Sequence, residues 1–386
     1  MTTTLASRQS MAKAQAAVSP RTHPAGQIVL VLQGGGALGA YQAGVYEAMC
    51  EAGIEPEWVI GTSIGAINGA LIAGNERANR LPRLAEFWRR VRNRPSIADL
   101  WASAFSGAIA NMGIVTQGVP GFFSPNPSAL FGIHYPHGTE RAAFYSTEPL
   151  KATLSGLIDF DYLNSRQVRL TTGAVSAATG AMRYFDSAHM PLDVRHVMAS
   201  GALPPAFPAV DIDGEPYWDG GIYSNTPVEV VFDDRPRLDS LIFSVNMWQP
   251  SGPAPETIWQ VLGRQKDIQY SSRGLSHVAR QQQIHRLRHV IRELAKRLPK
   301  EQSDSPEIKE LTAYGCGTTM HLVRLLAPRL DNEDHTKDID FSAGGIRSRW
   351  QAGLDYARGV IAREPWKCEV DSLTGVVIHQ AEEHVS

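Results

Sequence analysis

The sequence predicts an α/β fold built on a mainly parallel sheet, and three observations lead there. Between residues 28 and 245, short apolar runs alternate with stretches of helical spacing, the pattern of strands linked by covering helices. Two of those runs, 28–32 and 58–60, pass straight into glycine-rich turns and then into helices. A hydrophobic content of 43% over 386 residues is enough for a large core, in one big domain or two.

Taken in order, residues 1–26 are rich in Thr, Ala, Ser and Gln and lack an apolar run. They read as a disordered tail and not as a signal peptide. The run 28–32 meets Gly34, Gly35 and Gly36, and Ala40, Ala43, Val45, Ala48 and Met49 then follow at helical spacing. The run 58–60 enters Gly61-Thr62-Ser63-Ile64-Gly65, after which Ala66, Ile67, Ala70 and Leu71 continue as a helix. Residues 81–91 read as a helix with Leu84, Phe87, Trp88 and Val91 inward. Residues 100–139 contain no Lys, Arg, Asp or Glu, and prolines and glycines break any transmembrane reading. This stretch reads as a long ordered loop, and its Phe122, Phe123 and Phe131 are substrate-channel candidates.

Further on, 148–158 reads as a helix, 168–175 and 182–185 as strands, and 194–202 as a helix started by Asp193. Asp213-Gly214 marks a hairpin that delivers Asp219 at a strand end, and 241–245 reads as the last apolar strand. The Pro-rich stretch 251–255 reads as a linker. Residues 257–298 are mostly helical, with Ile284, Leu287, Ile291, Leu294 and Leu298 on one stripe. Arg280, Arg286, Arg288, Arg292, Lys296, Arg297 and Lys300 make the 280–300 stretch basic enough to lie against an anionic membrane surface. The bland alternative is a solvated helix packed by its apolar stripe.

Chemistry concentrates in three places. Gly61 to Gly65 is a G-x-S-x-G nucleophile elbow, in which small residues let a strained turn present the Ser63 hydroxyl. The Gly34–Gly39 loop points free backbone N–H groups at whatever sits before its helix, a phosphate or an oxyanion. No Lys-Ser/Thr pair follows, which excludes a Walker loop. Gly34, Gly36 and Gly39 also fit G-x-G-x-x-G, but the acidic residue a dinucleotide site wants would fall at Glu55 or Glu57, ahead of the serine strand. Asp219-Gly220-Gly221 taken alone is a turn.

In that order, G-G-G-x-x-G, G-x-S-x-G and D-G-G resemble the signature of patatin-like phospholipases, over roughly residues 27 to 250. The small-residue stretch Met198 to Phe207 resembles the same family, and residues 338–353 resemble the carboxy-terminal extension of a bacterial subgroup. The resemblance implies a three-layer sandwich at 27–250, a mostly helical extension at 251–386, and a Ser63–Asp219 dyad. It implies an oxyanion hole at Gly34, Gly35 and Gly36, where Gly35 and Gly36 supply the N–H groups and Gly34 lets the chain turn, with motif support from Gly39, Gly61, Gly65, Gly220 and Gly221. Leu38 stands where the family often carries Arg or Lys, and the backbone donors do not depend on it. His189 and His196 lie nearest the small-residue helix and read as structural or surface residues.

The reading that follows is a serine acyl hydrolase for lipid esters, phospholipids first. Thioesters, neutral lipids and hydroxyacid polyesters are alternatives, as is a catalytically silent lipid-binding protein on the same fold. It needs no metal and no cofactor. A net charge of −2 argues against nucleic acid as a partner. Cys50, Cys316 and Cys368 are odd in number and far apart, so neither a disulfide framework nor a metal cluster follows from their spacing. A cytoplasmic location, at most peripheral to a membrane, fits that cysteine usage.

Overall fold

A computed structural model describes residues 26–93, 117–132, 134–330, 333–371 and 373–380. The expected amino-terminal tail and much of the expected 100–139 loop lie outside the described residues. The strands are β1 Gln27–Leu32, β2 Trp58–Thr62, β3 Ser124–Pro125, β4 Tyr145–Ser146, β5 Arg169–Ser176, β6 Met182–Asp186, β7 Val210–Ile212, β8 Glu215–Asp219, β9 Ser240–Asn246, β10 Met320–Leu326 and β11 Val376–Gln380. Among the helices that matter for the site are α1 Ala40–Glu51, α2 Ile64–Ala73, α3 Arg77–Arg90, α4 Glu148–Leu157, α5 Val194–Ser200, α6 Ile258–Lys296 and α7 Ala343–Arg363.

Nine strands form one sheet in the order β11-β10-β9-β1-β2-β5-β8-β7, with β6 also paired to β5. From β11 to β5 every pairing is parallel; β6, β7 and β8 run antiparallel. A parallel sheet needs both faces covered, and the strand residues divide accordingly. Leu30 and Leu32 join the core under α1, α2 and α7, whereas Val29 and Val31 face Phe232 and Val278 of α6. Helices α1 and α7 cross so tightly that a Cβ at Gly44 would strike the α7 backbone at Leu354, and one at Gly353 the α1 backbone at Val45.

The sheet does not end at β9. Expecting 241–245 as the last strand overlooked β10 and β11, which carry the sheet on beyond the Pro-rich stretch. His321 and Arg324 interrupt the apolar run of β10 and hid it. The inward stripe expected on α6 is also corrected. Leu287 is 63% and Leu294 57% exposed, while Val278, His285 and His289 are buried. The inward face follows those three positions because the His285 ring packs on Phe232, centroids 5.7 Å apart. Ile284, Ile291 and Leu298 lie half-buried on its flank.

Candidate active site

The site sits where β1, β2, β5 and β8 end. Ser63 follows β2 directly and caps α2, at φ 57° and ψ −128°. A non-glycine residue with positive φ is strained, and here the neighbours hold it. Its amide is bound by the Ser200 carbonyl at 3.0 Å and the Ser200 hydroxyl at 3.1 Å. That buried hydroxyl donates in turn to the Gly173 carbonyl of β5 at 2.6 Å. A Cβ at Gly61 would meet the Gly65 carbonyl carbon and the Ala66 nitrogen, and one at Gly65 would enter the end of β1. The elbow glycines therefore permit close contact of turn, helix and neighbouring strand.

Asp219 closes β8, opposite Ala174 of β5, while Gly173 next to it pairs with Thr62 of β2. Strand β5 thus spans the gap between the two motifs. The Asp219 carboxylate is 2% exposed and takes the Gly221 amide at 2.7 Å. Ser63 borders the same cavity as Asp219, and its side chain acts to lower the pKa of that carboxylate. Burial pushes its pKa up to about 7, against the opposing effects of the Ser63 hydroxyl and the Gly221 amide.

The glycine loop lies above this pair. The Gly34 amide donates to the Asn225 carbonyl at 3.2 Å, and the Gly34 carbonyl accepts from Asn225 Nδ2 at 3.1 Å and Trp248 Nε1 at 2.8 Å. Gly34 therefore has no amide to offer an oxyanion. It serves as a close-packed spacer, since a Cβ there would lie 3.0 Å from that of Ser63. Among the described residues, the amides of Gly35, Gly36 and Ile64 show no backbone partner. Ile64 N–H is a first-turn amide of α2, of the kind a helix leaves unpaired, and sequence reasoning missed it although it directly follows Ser63.

A buried polar chain ties loop to elbow. Gln42 Nε2 donates to the Gln33 carbonyl at 2.6 Å, and Asn68 Nδ2 reaches both the Gly39 carbonyl at 3.0 Å and Gln42 Oε1 at 2.8 Å. Trp88 Nε1 completes it on Asn68 Oδ1 at 3.2 Å. Gly39 sits against Ile64 of the elbow helix, and Gly220 against the Gly173 carbonyl carbon.

Ser63, Asp219 and the loop border a cavity of about 240 Å³ whose far wall is aromatic. Phe122, Phe123, Tyr145, Phe207 and Phe341 form that wall, with Phe123 and Phe207 centroids 5.3 Å apart. Phe131 lies elsewhere. It is 74% exposed and packs on Tyr135, so it drops out of the channel. Tyr270 of α6 and Asp338 and Ile339 beyond β10 also line the cavity. Burial raises the Tyr270 pKa, helped by the nearby charges of Asp219 and Asp338. No motif marks these three. His196 is occupied at the start of α5, in a capping box with Asp193, and neither it nor His189 lines the cavity.

Fold and site define an α/β protein of the serine-elbow class. The chain belongs to the patatin-like phospholipase family: the family model described as Patatin-like phospholipase matches residues 30–232, more than half its length. A second model, described as Patatin phospholipase, matches residues 268–373. The chain is 46% identical over 63 residues to Patatin-like phospholipase domain-containing protein 6 of Mus musculus, covering 16% of this chain and 5% of that protein. It is 47% identical over 68 residues to Lysophospholipase nte1 of Aspergillus terreus, 16% of this chain and 4% of that one. The chain thus spans about a twentieth of these relatives' length. Among solved structures, VipD from Legionella pneumophila aligns at 14% identity and a TM-score of 0.39, covering 89% of this chain and 68% of that one.

Among the described residues, no helix is long and apolar enough to cross a membrane.

Proposed function

We propose that the chain hydrolyses carboxylic esters of lipids, phospholipids first, with Ser63 as nucleophile and Asp219 as its base. The observation that carries this reading is that strained Ser63 and the buried carboxylate of Asp219, its pKa raised, border one apolar, aromatic-walled cavity. A carboxylate is ordinarily a weak base for a hydroxyl, and one raised to about 7 is better matched to the task. Ser63 attacks the ester carbonyl while Asp219 accepts its proton. The oxyanion forms against the amides of Gly35, Gly36 and Ile64, each donor contributing roughly 3 kcal/mol. The proton passes to the departing alcohol, and Asp219 then activates water against the acyl-serine. Phe122, Phe123 and Phe207 hold the acyl chain, in keeping with relatives named phospholipase and lysophospholipase.

The test is a hydrolysis panel of phospholipid, lysophospholipid, neutral-lipid, acyl-thioester and hydroxyacid-polyester substrates, with Ser63→Ala and Asp219→Asn as controls. Phospholipid turnover that both variants lose supports the reading. Lipid binding without turnover by the unaltered protein makes it a silent lipid-binding member instead.

A peripheral membrane contact through the 280–300 helix is the second part of the proposal. Leu287 and Leu294, two turns apart on α6, project into solvent beside Arg286, Arg297 and Lys296. Exposed leucines flanked by cations suit an anionic bilayer surface.

A further inference from the structure

At the opposite edge of the sheet three side chains from separate segments converge. His321 lies on β10 and His379 on β11, where His321 pairs with Val377 and Val323 with His379. Side chains alternate along a strand, so this register puts both imidazoles on one face. Cys368 comes from the segment before β11, two residues after Trp366, which is buried against Phe243 at 5.6 Å. One nitrogen of each imidazole and the Cys368 sulfur all lie within 4.8 Å of one another. None of the three borders the cavity beside Ser63.

We propose that His321, His379 and Cys368 form a binding site for a thiophilic divalent metal ion, with Zn²⁺ the best match. His321 Nδ1 and His379 Nε2 are 2.9 Å apart, with ring planes 7° from parallel and centroids 5.2 Å apart. Those values describe two imidazoles head to head in one plane, sharing a proton between facing lone pairs. A tetrahedral ion with bonds of about 2.0–2.1 Å to nitrogen would hold the same two nitrogens about 3.3 Å apart. A small spreading of the rings therefore replaces the shared proton by a metal.

The proton balance is simple. The shared proton moves to the other nitrogen of its own ring, both imidazoles stay neutral, and the Cys368 thiol releases its proton to solvent as the sulfur binds. Burial holds both histidines below their ordinary pKa, and ligation requires the neutral form. Cys368 is exposed, which leaves an entry path and a fourth position for water. Two imidazoles and a thiolate favour Zn²⁺ over the oxygen-seeking Mg²⁺ and Ca²⁺. The consequence is structural. Strand β11 is the edge of the sheet, paired on one side only, and a bound ion would clip it to β10 and to the segment carrying Cys368.

Sequence spacing concealed this group because His321 and His379 are 58 residues apart and meet only by strand pairing.

The test uses the tag-free 386-residue chain, stripped of metal by a chelator and dialysed. Zn²⁺ is titrated in competition with a chromophoric chelator, and Co²⁺ serves as the spectroscopic probe. One equivalent should bind with submicromolar affinity, Co²⁺ should give a thiolate charge-transfer band, and saturating Zn²⁺ should raise the melting point by a few degrees. Cys368→Ser, an exposed and conservative change, should abolish the band. His379→Ala should weaken Zn²⁺ binding at least about 100-fold, since losing even an outer partner of a ligand costs 10–100-fold. Hydrolysis by Ser63 should be unchanged in Cys368→Ser. Absence of the band, or equal Zn²⁺ affinity in Cys368→Ser and the parent, overturns the assignment.

Discussion

The carbonyl oxygen of Asp338 accepts the backbone amide of Ala37 at 2.8 Å. A strap from beyond β10 thereby braces the glycine loop that lines the cavity with Ser63. The strap is tied down by Lys266 of α6, whose Nζ reaches Asp338 Oδ1 at 2.7 Å and the His335 carbonyl at 3.0 Å. Lys266→Met should lower kcat/KM about fivefold, equivalent to the ~1 kcal/mol a partly exposed ion pair contributes, with circular dichroism unchanged. Unaltered kinetics would mean that the loop holds its shape without this tether.

The pH profile follows from Asp219. As a base it must be ionised, and burial has raised its pKa to about 7. The other titratable groups lining its cavity are Tyr145, Tyr270 and Asp338, the last paired with Lys266. Single-turnover acylation should therefore rise with pH and level off above about 7. An acid limb near pH 4 would show the carboxylate to be solvated in the working enzyme.

The same group makes a stability prediction of opposite slope. Unfolded, Asp219 ionises near the ordinary aspartate value of 3.8; folded, near 7. Between those values the folded chain holds the extra proton, so stability falls as pH rises and flattens above about 7. Asp219→Asn removes that penalty. Urea denaturation should find the variant more stable at pH 8, by no more than about 4 kcal/mol, with the gain vanishing towards pH 4. A variant less stable at pH 8 would contradict the raised pKa.

Ser200 is the positioning residue of the elbow. Its hydroxyl accepts from Ser63 N and donates to Gly173 O, and it is fully buried. Ser200→Ala removes the hydroxyl's bond to the Gly173 carbonyl and the second acceptor of the Ser63 amide, which keeps the Ser200 carbonyl, and should cost about 0.5–1.5 kcal/mol of stability. The strained Ser63 turn should relax with it, so kcat should fall while KM stays near its original value. Ser200→Thr, which restores a hydroxyl, should recover part of the loss. A fall in stability alone, with kcat intact, would make Ser200 a plain core residue.

How much of this was legible beforehand depends on the range of the interaction. Ser63, Gly61 and Gly65 announce themselves because a strand-to-helix turn is local and its steric demands fall on adjacent residues. Asp219 was legible through its hairpin, in which Asp213 and Gly214 take the positive φ values of 56° and 86° that such a turn needs. Tyr270 and Asp338 carry no such mark, since they reach the cavity through the packing of α6 and of the strap, and Trp248 reaches it from just past the end of β9. The Gly34 amide could not be placed either, because its partner Asn225 lies on the far side of the chain. On α6, the hydrophobic period pointed to Leu287 and Leu294, yet His285 and His289 turn inward. A buried neutral imidazole reads as polar in sequence.

Those outward leucines give the last prediction. A solvated helix packed only by its apolar stripe has no use for Leu287 and Leu294 in water, at 63% and 57% exposure. Beside Arg286, Lys296 and Arg297 they can enter the boundary between head groups and acyl chains while the cations meet anionic lipid. Leu287→Glu with Leu294→Glu should abolish sedimentation with vesicles containing phosphatidylglycerol, and reduce turnover of vesicle lipid far more than of a short-chain monomeric ester. Raising salt should weaken binding of the parent protein, because the attraction of surface cations to the bilayer is screened over about 10 Å at 0.1 M. Vesicle binding that survives both the double variant and high salt would remove this helix from the membrane contact. Equal losses on vesicle and monomeric substrates would instead place the damage in the fold, since a surface contact cannot matter to a substrate free in solution.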